Sequence, residues 1–502
     1  MKRLLTALFL ITILVSWPTG AQSVSYPSEV SEIFKESDAR ISAFCQENGL
    51  PKTEKSISVK PLVAIPDCSA SDHLAEMVAL AGGNPFIVHV NEDPFVELWK
   101  MAAEWDGAVM PEGWVTKDNE YSVIFYKTVA ERNIPHIGTS FLSEKIDNDL
   151  RRMPERLASL EELVKKARTF QKAKSLMDEI FTIDTHCDLP ENYSSGVSVG
   201  KRSTSQCSVP KMEEGYLDSQ VLISFLWQGP TDEYSLKKAA EKNFRQIEEI
   251  KEDLAKYPKM CGLATNPEEA VALKEQGKKA FFIGVENAYG IGNDLGNIKK
   301  ARDLGIIYIT LCHFKDNHVC NTSSRQGSNP EKGLTEFGRK VVEEMNRQGL
   351  MIDLSHPSRG TFWDCINLSK APIVCTHSGA RAIYGHDRGL DDRQLKALAE
   401  NGGVIQVYSV TEFLSRNHNS SSIDDMMAHF NHCVEIAGAE HVGIGSDFDG
   451  GGGVIGFNGD NDMVNVTVKM LEYGYSADQI KGFWGGNFMR VMKEVQSISG
   501  RE

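Results

Sequence analysis

Residues 180–188 read Ile-Phe-Thr-Ile-Asp-Thr-His-Cys-Asp, an apolar and β-branched run that closes on two metal-type side chains, His186 and Asp188. Residues two apart in a strand point to the same side, so the spacing lets these two meet one ion. Taking Ile180–Thr185 as a first strand, seven more runs follow: Gln220–Phe225, Ala280–Val285, Ile306–Leu311, Met351–Leu354, Ile373–Thr376, Val404–Tyr408 and Val442–Ser446. Helical patterns separate most of them, among them EYSLKKAAEKNFRQIEEIKEDLAKY, TEFGRKVVEEMNRQG and DDRQLKALAENG. Strands alternating with helices imply a parallel sheet with crossover helices. Eight strands in roughly 320 residues fit an eight-stranded (β/α) TIM-type barrel. A doubly wound open sheet is the alternative, but it does not normally gather side chains from so many strand ends.

The metal-type side chains fall at one place on that frame. His186 and Asp188 follow the first strand, Glu286 the third, His313 the fourth, His356 the fifth, His377 the sixth and Asp447 the eighth. All are carboxy-terminal strand ends, the face on which barrel active sites assemble. Each alone has an ordinary explanation: a strand-end histidine is more often a hydrogen-bonder than a ligand, and Asp447 suits a turn. Independent structural roles do not place them all on one rim. Imidazoles with carboxylates suit zinc or a similar first-row divalent ion, whereas calcium and magnesium prefer oxygen shells. The five candidate ligands, His186, Asp188, Glu286, His356 and His377, exceed the three of an ordinary catalytic zinc site. Two ions with one bridging carboxylate use that number economically.

The segments FTIDTHCDLP, AFFIGVENA, LGIIYITLCH, GLMIDLSH, PIVCTHSGARAIYGHDRGLDD, HVGIGSDFDG and GGNFMRV occur in this order, from about residue 180 to the end of the chain. They resemble the membrane (renal-type) dipeptidase family, a branch of the metal-dependent amidohydrolase-like barrels. That resemblance implies two Zn(2+) ions, with His186 and Asp188 on one, His356 and His377 on the other, and Glu286 bridging. It implies further that His313 steadies a tetrahedral oxyanion, that Arg388 grips the terminal carboxylate of a small peptide, and that Asp447 carries a proton to the leaving amine. The implied reaction is hydrolysis of dipeptides by a bridging hydroxide. A guanidinium fork suits carboxylate recognition. Two features depart from the family: Asn287 and Ala288 follow Glu286 where two glycines are common, and a longer loop, FKDNHVCNTSSRQGSNPEKG, follows His313. Both bear on side-chain preference. His318 in that loop and His386 beside Arg388 are expected to be loop and scaffold residues. The competing readings are another metal-dependent amidohydrolase, acting on a cyclic amide, lactam or N-acyl amino acid, and a non-enzymatic binding protein that keeps a metal site.

Outside the barrel the sequence implies three further segments. Residues 1–21 carry Lys2 and Arg3, an apolar run from Leu4 to Val15, and the small residues Thr19-Gly20-Ala21, the pattern of a removed signal peptide. The run is shorter than the roughly 20 residues of a membrane span, so export to a periplasmic or secreted location without a membrane anchor is expected. Residues 22–142 read as a smaller α/β domain with a short parallel sheet built from KPLVAIPDC, NPFIVHVN, DGAVMPEGW and IPHIGTS. This region resembles the first half of class I glutamine-amidotransferase-like domains, but Gly138-Thr139-Ser140-Phe141-Leu142 stands where that family has its nucleophilic cysteine. It is therefore expected to be non-catalytic. Residues 143–179 read as a helical connector, and 180–502 as the barrel.

With 69 acidic against 54 basic residues and a net charge of -15, a nucleic-acid partner is not expected. Homo-oligomerisation stays open. The ten cysteines include no C-x-x-C pair, which leaves a structural thiolate zinc site without support. Export would permit disulfides, whose pairing the sequence does not define. Cys187 and Cys375, inside strands, read as small buried hydrophobes.

Overall fold

The computed structural model describes residues 169–324, 329–416 and 420–499, preceded by four short strands of the amino-terminal region. The expected signal peptide, Ser140 and the connector as far as residue 168 lie outside the described residues. The chain divides into two compact units, residues 1–172 and 173–502. In the first, β1 (Leu62–Pro66), β2 (Asn84–Val88), β3 (Gly113–Val115) and β4 (Ile137–Gly138) form one parallel sheet in the order β2-β1-β3-β4. β1, β2 and β4 fall within three of the apolar runs of the sequence, and β3 overlaps the end of the fourth, DGAVMPEGW, and passes it by one residue.

The second unit contains β5 (Ile183–Cys187), β6 (Ser219–Phe225), β7 (Cys261–Leu263), β8 (Lys279–Glu286) and β9 (Ile306–Thr310). It continues with β10 (Met351–Asp353), β11 (Val374–Ala380), β12 (Gly389–Leu390), β13 (Val404–Val407) and β14 (Val442–Ile444). Eight of these run parallel in the order β5-β6-β8-β9-β10-β11-β13-β14, with β7 beside β8 and β12 beside β11. The ends of the row meet. Cys187 pairs in parallel with Phe448, just past β14, where the Asp188 amide donates to the Phe448 carbonyl at 2.8 Å and the Asp447 amide to the His186 carbonyl at 3.2 Å. An open doubly wound sheet has no such contact between its edges, so the architecture is the eight-stranded (β/α) barrel.

Local sequence explains the elements. The Asp232 side chain caps the helix Glu233–Ala255, Thr335 caps Glu336–Gln348, and Asp391 with Gln394 closes a capping box on Asp392–Glu400. Gly349, at φ 68°, ends the second of these in the left-handed conformation that a residue without Cβ adopts cheaply. Strand boundaries differ from the expected ones at two informative places. β5 begins three residues late because the Ile180 amide still donates to Leu176 O at 3.1 Å, finishing the preceding helix. β11 runs on to Ala380 because β12 pairs with its tail at Gly379 and Ala380.

The amino-terminal ends of the strands share one apolar cluster. Ile183, Val221, Phe282, Val374 and Val404 meet Phe488, Val491, Met492 and Val495 of the last helix, Asn487–Ile498. The rim stands at the opposite end of the strands, and Tyr308 and Phe225 of the same cluster reach toward it. Phe488 is 1% exposed. Phe488→Ala is expected to cost about 3–5 kcal/mol, read as a fall in the urea unfolding midpoint.

Candidate metal centre

Strand irregularities coincide with the rim side chains. The register shifts between Asp184 and Cys187 in β5, between Ile283 and Gly284 in β8, and between Cys375 and Ser378 in β11. Bulges bend a strand and re-aim its side chains, and those in β5 and β11 span His186 and His377. Asp188 lies one residue beyond β5, at φ -91° and ψ 22°. Its approach to His186 therefore comes from a bulge and a turn, and not from simple two-residue alternation along a strand.

Six of the expected residues meet around Glu286. Its Oε1 lies 2.9 Å from His356 Nε2 and 3.4 Å from His377 Nε2, while Oε2 lies 3.6 Å from His186 Nε2. His356 Nε2 and His377 Nε2 are 2.9 Å apart. On the other side, His186 Nε2 is 3.4 Å from Asp188 Oδ2 and 3.9 Å from Asp447 Oδ1. Three overlapping groups have the donor spacing of a metal site: His186 with Glu286 and His377, Glu286 with His313 and His356, and His186 with Asp188 and Asp447. All of these residues are buried, and His186 Nε2 and Asp188 Oδ1 make no hydrogen bond.

Side chains the sequence reading passed over set the tautomers. Tyr308 donates its hydroxyl to Thr185 O at 3.0 Å, so its oxygen is left to accept from His186 Nδ1, also at 3.0 Å. Thr376 donates to Asp353 Oδ2 at 2.8 Å and accepts from His377 Nδ1 at 3.1 Å. With Nδ1 holding the proton on both rings, each Nε2 presents a lone pair to the shared space, the arrangement of a ligating histidine. Asp353, fully buried, also accepts from the Ser355 amide and hydroxyl, the Thr376 amide and the Thr310 hydroxyl. Asp184 accepts from the Ser446 amide at 2.7 Å and its hydroxyl at 2.6 Å, which fixes the turn on which Asp447 stands at φ 63°.

Electrostatics agree with a cation site. Burial pushes the carboxyl of Glu286 up, yet His313, His186 and His356 together hold it well below the usual range. Burial opposes protonation of His186, but the charges of Asp188 and Glu286 prevail and hold it well above its ordinary value. A metal cation held at His186 would take the place of that proton. Burial holds His356 and His377 well below the usual imidazole range, with Arg388 adding to the effect on the first and His186 on the second. Burial lowers His313 to about 4. Burial, reinforced by the neighbouring Asp188 and Glu286, raises Asp447 well above a normal carboxyl.

The site opens into a cavity of about 370 Å³ with an aromatic wall of Phe225, Trp227, Phe314 and Phe413 and an acidic edge at Glu191, Glu412 and Asp449. Arg388 is not on its wall. It lines an adjacent cavity of about 200 Å³, and its guanidinium carbon lies 5.8 Å from the ring of Phe413, which does line the first. Arg388 is buried and donates from Nη2 to His377 O at 2.9 Å, while Nε and Nη1 have no partner. His318 stays outside the site, bonded to Gly292 O at 2.7 Å and stacked on Phe337. His386 accepts from the Arg388 amide and stacks on Phe413, as expected of scaffold. The aromatic wall carried no sequence signal, because its residues come from three separate elements.

The barrel and the clustered donors define a metal-dependent hydrolase. Residues 170–502 match the family described as Membrane dipeptidase (Peptidase family M19), and the chain belongs to that family. Its activity is thus metal-dependent hydrolysis of dipeptides. Among its relatives is an uncharacterised dipeptidase of Schizosaccharomyces pombe, 31% identical over 350 residues, which span 66% of this chain and 84% of that one. The crystal structure of the probable dipeptidase PvdM of Pseudomonas aeruginosa is similar at a TM-score of 0.62 and 25% identity, covering 66% of this chain and 99% of the other. A metallopeptidase of Rhodobacter sphaeroides, liganded with a phosphinate mimic of the dipeptide L-Ala-D-Ala, shares the fold at a TM-score of 0.58 and 23% identity, over 63% of this chain and 99% of that one. The amino-terminal region lies outside the family match.

The Asp353 hydrogen-bond set gives a direct test of how the rim is held. Removing a buried, fully bonded carboxylate strands its donors, so Asp353→Ala is expected to destabilise the protein by about 3–5 kcal/mol. Metal analysis of the same variant is expected to show a loss of bound ion relative to the parent.

Proposed function

We propose that the chain is a dipeptidase working with two zinc ions, one held by His186 and Asp188, the other by His356 and His377, with Glu286 shared between them. The observation that carries this reading is the division of one carboxylate: Oε2 of Glu286 faces His186, and Oε1 faces His356 and His377. When bound, the ions supply an activated water and polarise the scissile carbonyl.

The chain's own residues do the rest. His313, neutral at physiological pH because burial lowers it to about 4, acts on an oxyanion as a hydrogen-bond donor and not as a fixed charge. Asp447, raised by burial and by its carboxylate neighbours, holds a proton beside His186, where a departing amine can take it. Arg388 has two buried N–H groups without partners, a donor pair that a substrate carboxylate would satisfy on reaching past Phe413, since Arg388 lines the smaller cavity and not the wall of the larger one. The cavity of about 370 Å³ has room for a small peptide. The basic, then apolar, then small-residue pattern of residues 1–21 supports export of the mature enzyme.

Assay of a dipeptide panel, with cyclic amides, lactams and N-acyl amino acids alongside, is expected to give turnover of dipeptides only. A chelator should abolish it and zinc restore it, with two ions bound per chain; dipeptides left uncleaved after zinc addition would overturn the proposal. Arg388→Ala is expected to raise KM for dipeptides by about tenfold or more, since charge-assisted bonds are lost, with bound zinc unchanged. Loss of zinc in that variant would instead make Arg388 a structural support of His377.

A further inference from the structure

Behind the metal centre a second group of reactive side chains has no part in the chemistry above. Cys187 stands between His186 and Asp188, and its Sγ lies 2.7 Å from Sγ of Cys207. That is about 0.7 Å longer than a disulfide bond and far shorter than two unbonded sulfurs ordinarily approach. Both thiols are fully buried, and the two residues are 20 apart in the chain. We propose that Cys187 and Cys207 form a disulfide in the mature protein.

Each thiol gives up its proton and one electron as the Sγ–Sγ bond forms. The two electrons and two protons pass to a disulfide oxidant, whose own S–S bond breaks to yield two thiols. The exported location proposed above supplies such oxidants and preserves the product.

The bond would brace two sides of the rim at once. The segment of Cys207 already grips the loop after β14: the Gln206 amide donates to Asp449 Oδ1 at 3.1 Å, and Gln206 Oε1 accepts from the Asp449 amide at 2.7 Å. Gln206 Nε2 reaches Gly452 O at 2.9 Å. A covalent link to Cys187 ties that loop, which carries Asp447 and Asp449, to the strand end carrying His186 and Asp188. The competing occupant is a metal ion on the two sulfurs and Asp449, which have suitable donor spacing. The disulfide is the better fit, because two sulfurs each about 2.3 Å from one tetrahedral ion stand about 3.7 Å apart, whereas these lie 2.7 Å apart.

The test is peptide mapping of the full chain, purified from an oxidising compartment, denatured without reductant and alkylated before digestion. A linked pair of peptides containing Cys187 and Cys207, separating on reduction, is the expected result. Alkylation of both cysteines without reduction, linkage of either to another cysteine, or a further ion released when the thiols are alkylated would each overturn the proposal. Thermal melting gives a second reading on the protein as purified. Reductant is expected to lower the wild-type midpoint by several degrees and to leave that of Cys207→Ser unchanged. An equal response of both proteins would contradict the assignment.

Discussion

A single buried carboxylate, Glu286, stands among three imidazoles, and much of the rim follows from keeping it charged away from water. An isolated carboxylate at that depth would be neutralised, because desolvation penalises the ionised form by several kcal/mol. Here the charge and hydrogen bond of His186 and the hydrogen bond of His356 hold it ionised. The same crowding leaves His356 and His377 neutral, which is the state in which an imidazole nitrogen binds a metal. Negative charge from Asp188 and Glu286 then draws a positive species to His186. Metal cations held among these groups would satisfy them together, where a proton satisfies one.

Such an arrangement persists only if the backbone beneath it cannot relax. The rings are oriented through hydroxyls whose own protons are committed elsewhere, Tyr308 to Thr185 O and Thr376 to Asp353. Asp353 binds donors from β9, from the turn after β10 and from β11, so it joins three neighbouring strands at the level of the site. Below this polar layer the last helix seals the barrel with Phe488 and its neighbours. Tyr308 belongs to both, orienting His186 with its hydroxyl while its ring lies in the apolar cluster that Phe488 closes.

The eight barrel strands were legible because they are apolar runs, most of them followed by a helical pattern, and the rim residues because they recur at the ends of those runs. The means by which they converge was not legible. Period-two reasoning put His186 and Asp188 on one side, and they do approach to 3.4 Å, yet Asp188 lies outside the strand and the register shifts at β5. A bulge depends on which residue of a neighbouring strand lies opposite, and a single sequence does not show that. Tyr308, Thr376 and Asp353 were hidden for a related reason: each looks like an ordinary strand residue until its partner, from a different strand, is known. Cys187 was read as a small buried hydrophobe, and it is buried, but its neighbour Cys207 comes from a segment with no strand or helix pattern to place it.

The two departures from the family pattern prove to be one structural feature. Asn287 has φ 74°, a conformation in which a glycine is at ease and most residues are strained, so a glycine after the central glutamate has a backbone reason. Asparagine tolerates positive φ better than most, and here its side chain offsets the strain. Its Nδ2 donates to Leu226 O at 3.0 Å, and its Oδ1 accepts from the Tyr289 amide at 3.1 Å and from Asn317 Nδ2 at 3.0 Å. Asn317 belongs to the longer loop after His313 and also bonds Leu311 O. The loop therefore supplies a partner that a glycine would not use, and the asparagine supplies an anchor that a glycine could not offer. That loop begins with Phe314, which packs against His313 and His356 and forms part of the cavity wall. The Asn287–Asn317 bond thereby links the residue after Glu286 to the loop whose first residue, Phe314, lines the cavity.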